Sequence, residues 1–499
     1  MGLNIGGKVE RINGRELRYH EFVDRYLQKN QPIVITGLMN GWMASNDWTT
    51  ENGAPNLSFF STHFGKSKVQ VADCARRDFT DQKRLEMSVS EFINYWLQLS
   101  TAKCSNDSSH KDNDHTLLYL KDWHFVKEYP EYAAYTTPLF FVDDWLNLYL
   151  DSHPMHMDGD VCHDKNEINC SDYRFVYMGP KGTWTPLHAD VFRSYSWSAN
   201  VCGKKKWHLL PPSQCHLLFD QNMKSTVYDI FGEVSEAQFP GFKKTVWLEC
   251  TQEQNEIIFV PSGWYHQVLN LEDTISINHN WFNAFNLSWV WNLLLKDYNE
   301  AKEYIEDIRD ICDDFEGLCQ RNLAANTGMN FFDFFIFITR FSFANLSLLY
   351  HHVKTDENPI WVSPNRAHNL ISNLISIHKV ATKMKSVEAF AGVKQSAISD
   401  IRKILQEPEF IELCMALNRT YGSIDEQQKQ CSGTNNTSLL ARADFLHLGF
   451  VESIGFEVAG PEDLIRIIEQ AATNLSCMGS DWNLSLSYEL NDLESPTVL

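Results

Sequence analysis

Apolar residues along this chain recur with two different periods. Up to about residue 285 the apolar runs are short and stop at Gly, Pro or Asn. The run Gln31-Pro32-Ile33-Val34-Ile35-Thr36-Gly37 enters through a proline and leaves through a glycine, which predicts a short strand. Similar runs predict strands over Lys68–Ala72, Leu117–Leu120 and Arg174–Gly179, and over 199–202, 205–210, 256–260, 266–269 and 274–278. Many short strands with turn signals between them predict an antiparallel sandwich or barrel. Helical spacing interrupts this part over residues 9–30, around Phe22, Tyr26 and Leu27, and over Ser88–Leu99, with Phe92, Trp96 and Leu97 on one side. Leu139–Trp145 reads as an apolar segment entering a turn.

After about residue 286 the spacing becomes 3.6 residues. Helices are expected over Ser288–Tyr298, Glu300–Arg321, Phe331–Val353, Pro364–Ile377, Val387–Ile404 and 461–475. Phe331, Phe332, Phe334, Phe335 and Phe337 are crowded enough for a buried helix or one side of an interface. Polar stretches at 102–115 and 151–170 predict surface loops, Cys431–Ser438 a linker, and the residues past Gly479 a loosely ordered tail. The domain division expected is 1–285 and 286–499.

Composition narrows the classes. Hydrophobic residues make up 43% and charged residues 21%, a globular balance. The 64 acidic against 43 basic residues leave a net charge of −21, which argues against direct nucleic-acid binding, since phosphate contacts need clustered Lys and Arg. No apolar run reaches the ~20 residues that span a bilayer, so no membrane partner is expected. The first residues lack the cationic and apolar regions of a secretory signal. The 12 cysteines include no CxxC pair, so reduced thiols and a cytoplasmic location, with the nucleus also open, are expected.

The candidate chemistry sits in Thr185-Pro186-Leu187-His188-Ala189-Asp190 and in Trp264-Tyr265-His266-Gln267-Val268. A strand points residues i and i+2 to one face, so His188 and Asp190 project together. With His266 they make two histidines and one carboxylate, the set that binds non-haem Fe(II) and leaves open positions. Parity also sorts the lysines after Gly203. Lys205 shares a face with Trp207 and Leu209, while Lys204 and Lys206 face the other way. A lysine among apolar residues needs an anion. That anion is either a protein carboxylate or a bound dicarboxylate, unless the chain snorkels out. On the last strand Ser276, Asn278 and Asn280 form a polar face, directed to a wet cavity or to solvent. His153, His156, Cys162, His163 and Cys170 lie close together, but their spacing fits no zinc knuckle.

The runs TPLHADVFRSYSWSANVCGKKKWHLLPP and NEIIFVPSGWYHQVLNLEDTISINHNWF resemble the two halves of the site in JmjC-domain 2-oxoglutarate and Fe(II)-dependent oxygenases. QPIVITGLMNGW is similar to the opening strand of their small hydroxylase subgroup. The resemblance covers roughly residues 15–285. It implies a mainly β double-stranded β-helix (cupin or jelly-roll) core with flanking helices, followed by the α-helical C-terminal region. It implies Fe(II), 2-oxoglutarate and O2 as the reacting partners, with His188, Asp190 and His266 as iron ligands. It also implies Lys205, Thr185 and Tyr119 at the 2-oxoglutarate carboxylate, and Asn278, Asn280 and Asn200 lining the cavity. Gln254-Asn255-Glu256 departs from the glycine many relatives carry before the acid, but Asn tolerates the left-handed turn. Spacing and the helical tail are most similar to a branch associated with lysine hydroxylation in the eukaryotic translation release factor. The implied substrate is therefore a protein lysine. In related hydroxylases such helices support a homodimer or shape substrate entry. The competing readings are an N-methyl-lysine demethylase of the same family and a non-catalytic cupin scaffold.

Overall fold

The computed structural model describes residues 2–104, 116–153, 172–355, 364–387, 390, 399–430 and 457–477. The predicted loops at 102–115 and 151–170, the linker, the tail and part of the Val387–Ile404 helix lie largely outside these residues. So do His156, Cys162, His163 and Cys170. His153 is described; its Nε2 faces the Arg340 guanidinium at 2.8 Å.

Among the described residues, fourteen strands build the first part. They are β1 (Ile5–Lys8), β2 (Glu10–Asn13), β3 (Ile33–Thr36), β4 (Lys68–Asp78), β5 (Asp81–Ser88), β6 (Leu118–Trp123) and β7 (Arg174–Gly179). Then come β8 (Trp184–His188), β9 (Tyr195–Cys202), β10 (Lys205–Leu210), β11 (Trp247–Gln252), β12 (Glu256–Val260), β13 (Tyr265–Asn270) and β14 (Thr274–Trp281). One sheet runs β1-β11-β10-β13-β8; the other runs β2-β3-β12-β9-β14-β7-β6-β4-β5. From β7 to β14 the chain crosses repeatedly between the two sheets, which is the double-stranded β-helix arrangement of a jelly roll.

Local sequence explains key joints. Gly203 turns the chain from β9 to β10 at φ 74°, and any Cβ there would run into the Asp273 carbonyl. Asn255 takes the left-handed turn before β12 at φ 62°. Pro186 lies in β8, which closes the edge of its sheet, where a missing N–H breaks no inner ladder. The apolar sides of β9, β12 and β14 meet through Trp197, Phe259 and Trp281, all fully buried. Residues 9–30 are only partly helical: Glu10–Asn13 is a strand because it pairs in parallel with β3, a partner local spacing cannot show. β5 and β11, which alternation left unmarked, are likewise held by β4 and β10.

Contacts divide the chain into two compact units, Met1–Phe141 with Ile168–Trp281, and Val142–Glu167 with Phe282–Leu499. Against a boundary at 285, the second unit also takes in a helix of the N-terminal half, α2 (Trp145–Ser152), numbered after α1 (Val89–Cys104). Asp144 caps α2 by accepting from Asn147 N at 2.9 Å. Trp145 stacks on Phe341 at 4.4 Å, and this packing ties α2 to the later helices. Those are α3 (Leu287–Tyr304), α4 (Phe315–Thr327), α5 (Phe331–Thr355), α6 (Pro364–Lys385), α7 (Pro408–Gln430) and α8 (Pro461–Cys477). The expected helix over Glu300–Arg321 is broken by a 3-10 stretch at Glu306–Ile311, and α7 was not anticipated. Phe331, Phe334, Phe335 and Phe337 are buried in this unit's own core. Phe331–His351 is long and apolar enough by composition to cross a bilayer, longer than its apolar start suggested, and most of it is buried among neighbouring helices.

Candidate metal and cosubstrate site

His188 ends β8 and His266 lies on β13, and the two are direct cross-strand partners. Their rings sit 4.4 Å apart between centroids. Asp190 follows in extended backbone, φ −58° and ψ 151°, so the i and i+2 relation persists although the strand has ended. One ligand atom from each of the three lies within 4.8 Å of the others, so together they could hold a metal ion. Ala189, between His188 and Asp190, packs against the cluster that includes Leu187 and Leu210.

Each imidazole is set by a backbone carbonyl two residues earlier. His188 Nδ1–H donates to Pro186 O at 2.8 Å and His266 Nδ1–H to Trp264 O at 3.1 Å. A carbonyl can only accept, so this tautomer leaves each Nε2 lone pair free for a metal. Burial and the neighbouring His266 push the His188 pKa down to about 4, against the pull of Asp190. His188 is therefore neutral at pH 7. Ser196 Oγ donates to Asp190 Oδ2 at 2.7 Å, orienting the carboxylate and leaving Oδ1 available.

After Asp190 the backbone carries two consecutive left-handed residues, Phe192 at φ 54° and Arg193 at φ 52°. Each costs about 1 kcal/mol, and packing offsets that. Phe192 lies 5.4 Å from the Tyr173 ring, and the Arg193 guanidinium lies 5.2 Å over Tyr265.

The triad opens into a cavity of about 550 Å³. Lys205, on β10, projects into it and is 2% exposed. Its Nζ donates to Ser276 Oγ at 2.6 Å and to Tyr119 Oη at 3.4 Å, on strands of the opposite sheet. Both partners are hydroxyls, and burial pushes the lysine pKa down to about 7. Among the described residues neither a carboxylate nor snorkelling relieves it: Lys204 and Lys206 take the surface acids, Lys204 with Glu253 and Glu272 and Lys206 with Glu249. Thr185 Oγ1 lines the same cavity, buried and without a hydrogen-bond partner among the described residues. Asn278 Nδ2 donates to Ser276 Oγ at 3.3 Å and Asn280 Nδ2 to Ser194 Oγ at 3.1 Å, and both asparagines line the cavity.

Asn200 is the exception and corrects the expectation. It does not line the cavity; its amide donates to Gly203 O at 2.6 Å and Glu253 O at 3.3 Å, bracing the turn after β9. Its place is taken by Ser198, directly opposite Asn278; the buried Ser198 hydroxyl lines the cavity without a partner among the described residues. Parity with Ser196 could have found it. Ser276 was visible on the polar face of its strand but not as the partner of Lys205. A buried hydroxyl left unsatisfied costs about 1–3 kcal/mol. Two of them beside an uncompensated lysine fit a polar, anionic ligand such as 2-oxoglutarate.

A jelly roll with this triad and this lysine defines a cupin-type oxygenase. Comparison with known proteins agrees. The cupin-like domain family matches residues 19–287. The arginine-specific demethylase JMJ20 of Arabidopsis thaliana is 55% identical over 475 residues, 95% of this chain and 98% of that protein. The 2-oxoglutarate and iron-dependent oxygenase JMJD4 of Danio rerio is 41% identical over 342 residues, 67% of this chain and 76% of that protein. Its Gallus gallus namesake is 37% identical over 409 residues, 80% and 88% of the two chains. The chain belongs to the JmjC-type 2-oxoglutarate and iron-dependent oxygenases and is an enzyme of that class.

Proposed function

We propose that this enzyme is a protein hydroxylase that adds a hydroxyl group to a lysine side-chain carbon of a translation release factor. In this reading His188, Asp190 and His266 hold Fe(II), and Lys205 holds the distal carboxylate of 2-oxoglutarate. The observation that carries the cosubstrate assignment is Lys205 itself, a buried amine with two hydroxyl partners at the edge of the triad's cavity. When bound, iron and 2-oxoglutarate supply the activation of O2 that places oxygen on a substrate carbon. The chain's residues do the positioning. The carbonyls of Pro186 and Trp264 keep both Nε2 atoms facing the metal. Ser196 orients Asp190, and Ser276 and Tyr119 aim Lys205 for a charge-assisted bond. Thr185 and Ser198 offer hydroxyls to the remaining cosubstrate oxygens. No side chain is required as general acid or base.

The release-factor assignment is supported by the resemblance of the site motifs and helical tail, and by the extent of the match to the oxygenases named JMJD4. A cytoplasmic site of action agrees with that substrate and with the free thiols among the described cysteines. Incubation with Fe(II), 2-oxoglutarate and release-factor peptides should yield succinate and an added oxygen on one lysine. Succinate at only the peptide-free rate, with no mass change on any lysine, would sink the assignment.

The relative named an arginine-specific demethylase favours a second reading, removal of an N-methyl group. A hydroxyl on an N-methyl carbon breaks down to the free amine and formaldehyde, so the same site serves both. Formaldehyde from methylated arginine or lysine peptides, without stable hydroxylation of the release factor, would select it. A non-catalytic scaffold is set aside, because the relatives are named 2-oxoglutarate and iron-dependent oxygenases and the triad is brought together.

A further inference from the structure

The cavity has a second wall to which the proposed function assigns no role. It is built on β5, β6 and β7 from Asp81, Arg84, Lys121 and Asp122, with the rings of Tyr173, Phe175 and Tyr177 beside them. β6 pairs irregularly with β7 between Leu120 and Trp123, and Asp122 there takes φ 58°. Regular alternation would turn one of Lys121 and Asp122 away; this bulge lets both line the cavity. Arg84 Nη2 bridges the carboxylates, 3.0 Å from Asp81 Oδ2 and 2.8 Å from Asp122 Oδ2. The protein thus seats one guanidinium of its own between them. Tyr177 Oη donates to Asp122 Oδ1 and fixes it further.

We propose that Asp81 reads the cationic end of the target side chain, with the rings of β7 flanking the side chain's alkyl stem. The proposal rests on the reading of the target as a lysine or arginine. Both Arg84 contacts fall on Asp81 Oδ2, whereas Oδ1 meets Lys121 Nζ at 3.5 Å, longer than an ordinary hydrogen bond. Oδ1 therefore keeps acceptor capacity toward the cavity, and the Asp81 side chain is 45% exposed there. Although burial opposes it, Lys121 and Arg84 hold Asp81 below the usual carboxylate range, so it stays anionic. Lys121 is pushed down by burial and by Arg84, which makes it a weak competitor for that oxygen. Carboxylate and aromatic faces together recognise an ammonium or guanidinium on an alkyl chain and give a neutral analogue no equivalent partner. The unpartnered hydroxyls of Thr185 and Ser198 independently mark the same cavity as a ligand site. Asp122 and Arg84 act as positioning residues for Asp81.

The test uses full-length protein loaded with Mn(II) and 2-oxoglutarate, so that nothing turns over. The probes are n-pentylamine, n-pentylguanidine and n-pentanol, and binding is read as paramagnetic broadening of their NMR lines. The two cations should broaden and the alcohol should not. Asp81→Asn should weaken both cations at least ~10-fold, the scale of a charge-assisted bond, and Asp81→Glu should restore much of the effect. On a turned-over lysine peptide, Asp81→Asn should raise KM while leaving kcat within twofold. Equal broadening by alcohol and amine, or amine binding unchanged in a folded Asp81→Asn protein, overturns the proposal. Amine binding without turnover of any lysine or arginine peptide overturns the proposed function and leaves this inference standing.

Discussion

In each unit of this protein an ionisable group is buried among neutral partners, and these two have opposite uses. In the β-rich unit it is Lys205, whose amine meets Ser276 and Tyr119 and faces a cavity. In the helical unit it is Asp143, 2% exposed. Trp145 Nε1 donates to it at 2.9 Å, Tyr421 Oη at 3.1 Å and Asn283 Nδ2 at 3.2 Å. Asn373 and Asn345 extend that network into the core. Asp143 has its donors on the spot and ties three separated stretches of chain together. Lys205 has hydroxyls that aim it but, among the described residues, no anion that neutralises it. Burying a polar group with all its bonds made is a structural device; burying one with a charge left over is provision for a ligand.

That contrast can be broken at either end. The largest effect is expected from His188→Ala, which should lower metal affinity and succinate formation more than ~100-fold, since even outer-shell partners are worth ten- to hundredfold. Its thermal stability should barely change, because His188 opens onto the cavity. Calorimetric titration with Mn(II) and a melting curve check both. Asp143→Ala should do the reverse. Leaving the Trp145, Tyr421 and Asn283 donors unpaired should destabilise the helical unit by roughly 3 kcal/mol, with 2-oxoglutarate affinity unaltered. If affinity dropped along with stability, the division of roles would be wrong.

Lys205→Met should weaken 2-oxoglutarate binding by about 10- to 100-fold, the worth of a charge-assisted bond, and should raise the melting temperature of the ligand-free protein. A lower melting temperature would mean that Lys205 is structural after all.

The pH dependence has opposite signs at the two groups. Asp143 is raised by burial to about 6, so its contribution is full below its ordinary value and is lost as pH climbs through 6. Lys205 is lowered to about 7, so the cost of its charge is full below 7 and is relieved as pH rises above that, toward its ordinary 10.5. Ligand-free protein should therefore lose stability up to pH 6 and regain some above 7. Affinity for 2-oxoglutarate should fall above pH 7 by up to tenfold per unit, and Lys205→Met should flatten that slope. The smallest expected effect separates neighbours on β9. Ser198→Ala should weaken 2-oxoglutarate about fivefold, near 1 kcal/mol, while Asn200→Ala should stay within twofold. Equal effects would return Asn200 to the cavity.

Legibility followed the range of the interaction. Strands with alternating or continuous apolar runs, such as β7, β10 and β12, were readable because their own side chains carry the pattern. β1, β2 and β11 were not, because their partners lie far off in the chain and their exposed sides carry little signal. Parity placed Lys205 inward and Lys204 and Lys206 outward, as found, because the alternation of a strand is local geometry. It could not place Asn200, because the Gly203 turn takes that amide for its own carbonyl. Nor could it show Lys121 and Asp122 facing one way, since a bulge suspends the rule it relies on.

The sequence by itself marked out the two histidines and the aspartate that the fold brings together, and it determined the inward lysine, the β-then-helical order and the family, since each is written in neighbouring residues or in a motif. The tertiary structure alone decided which hydroxyls meet Lys205, that Ser198 rather than Asn200 lines the cavity, and that Trp145–Ser152 joins the helical unit. Those outcomes depend on which distant strand or helix arrives alongside. Burial, and with it the sign of each titration, exists only after that arrival.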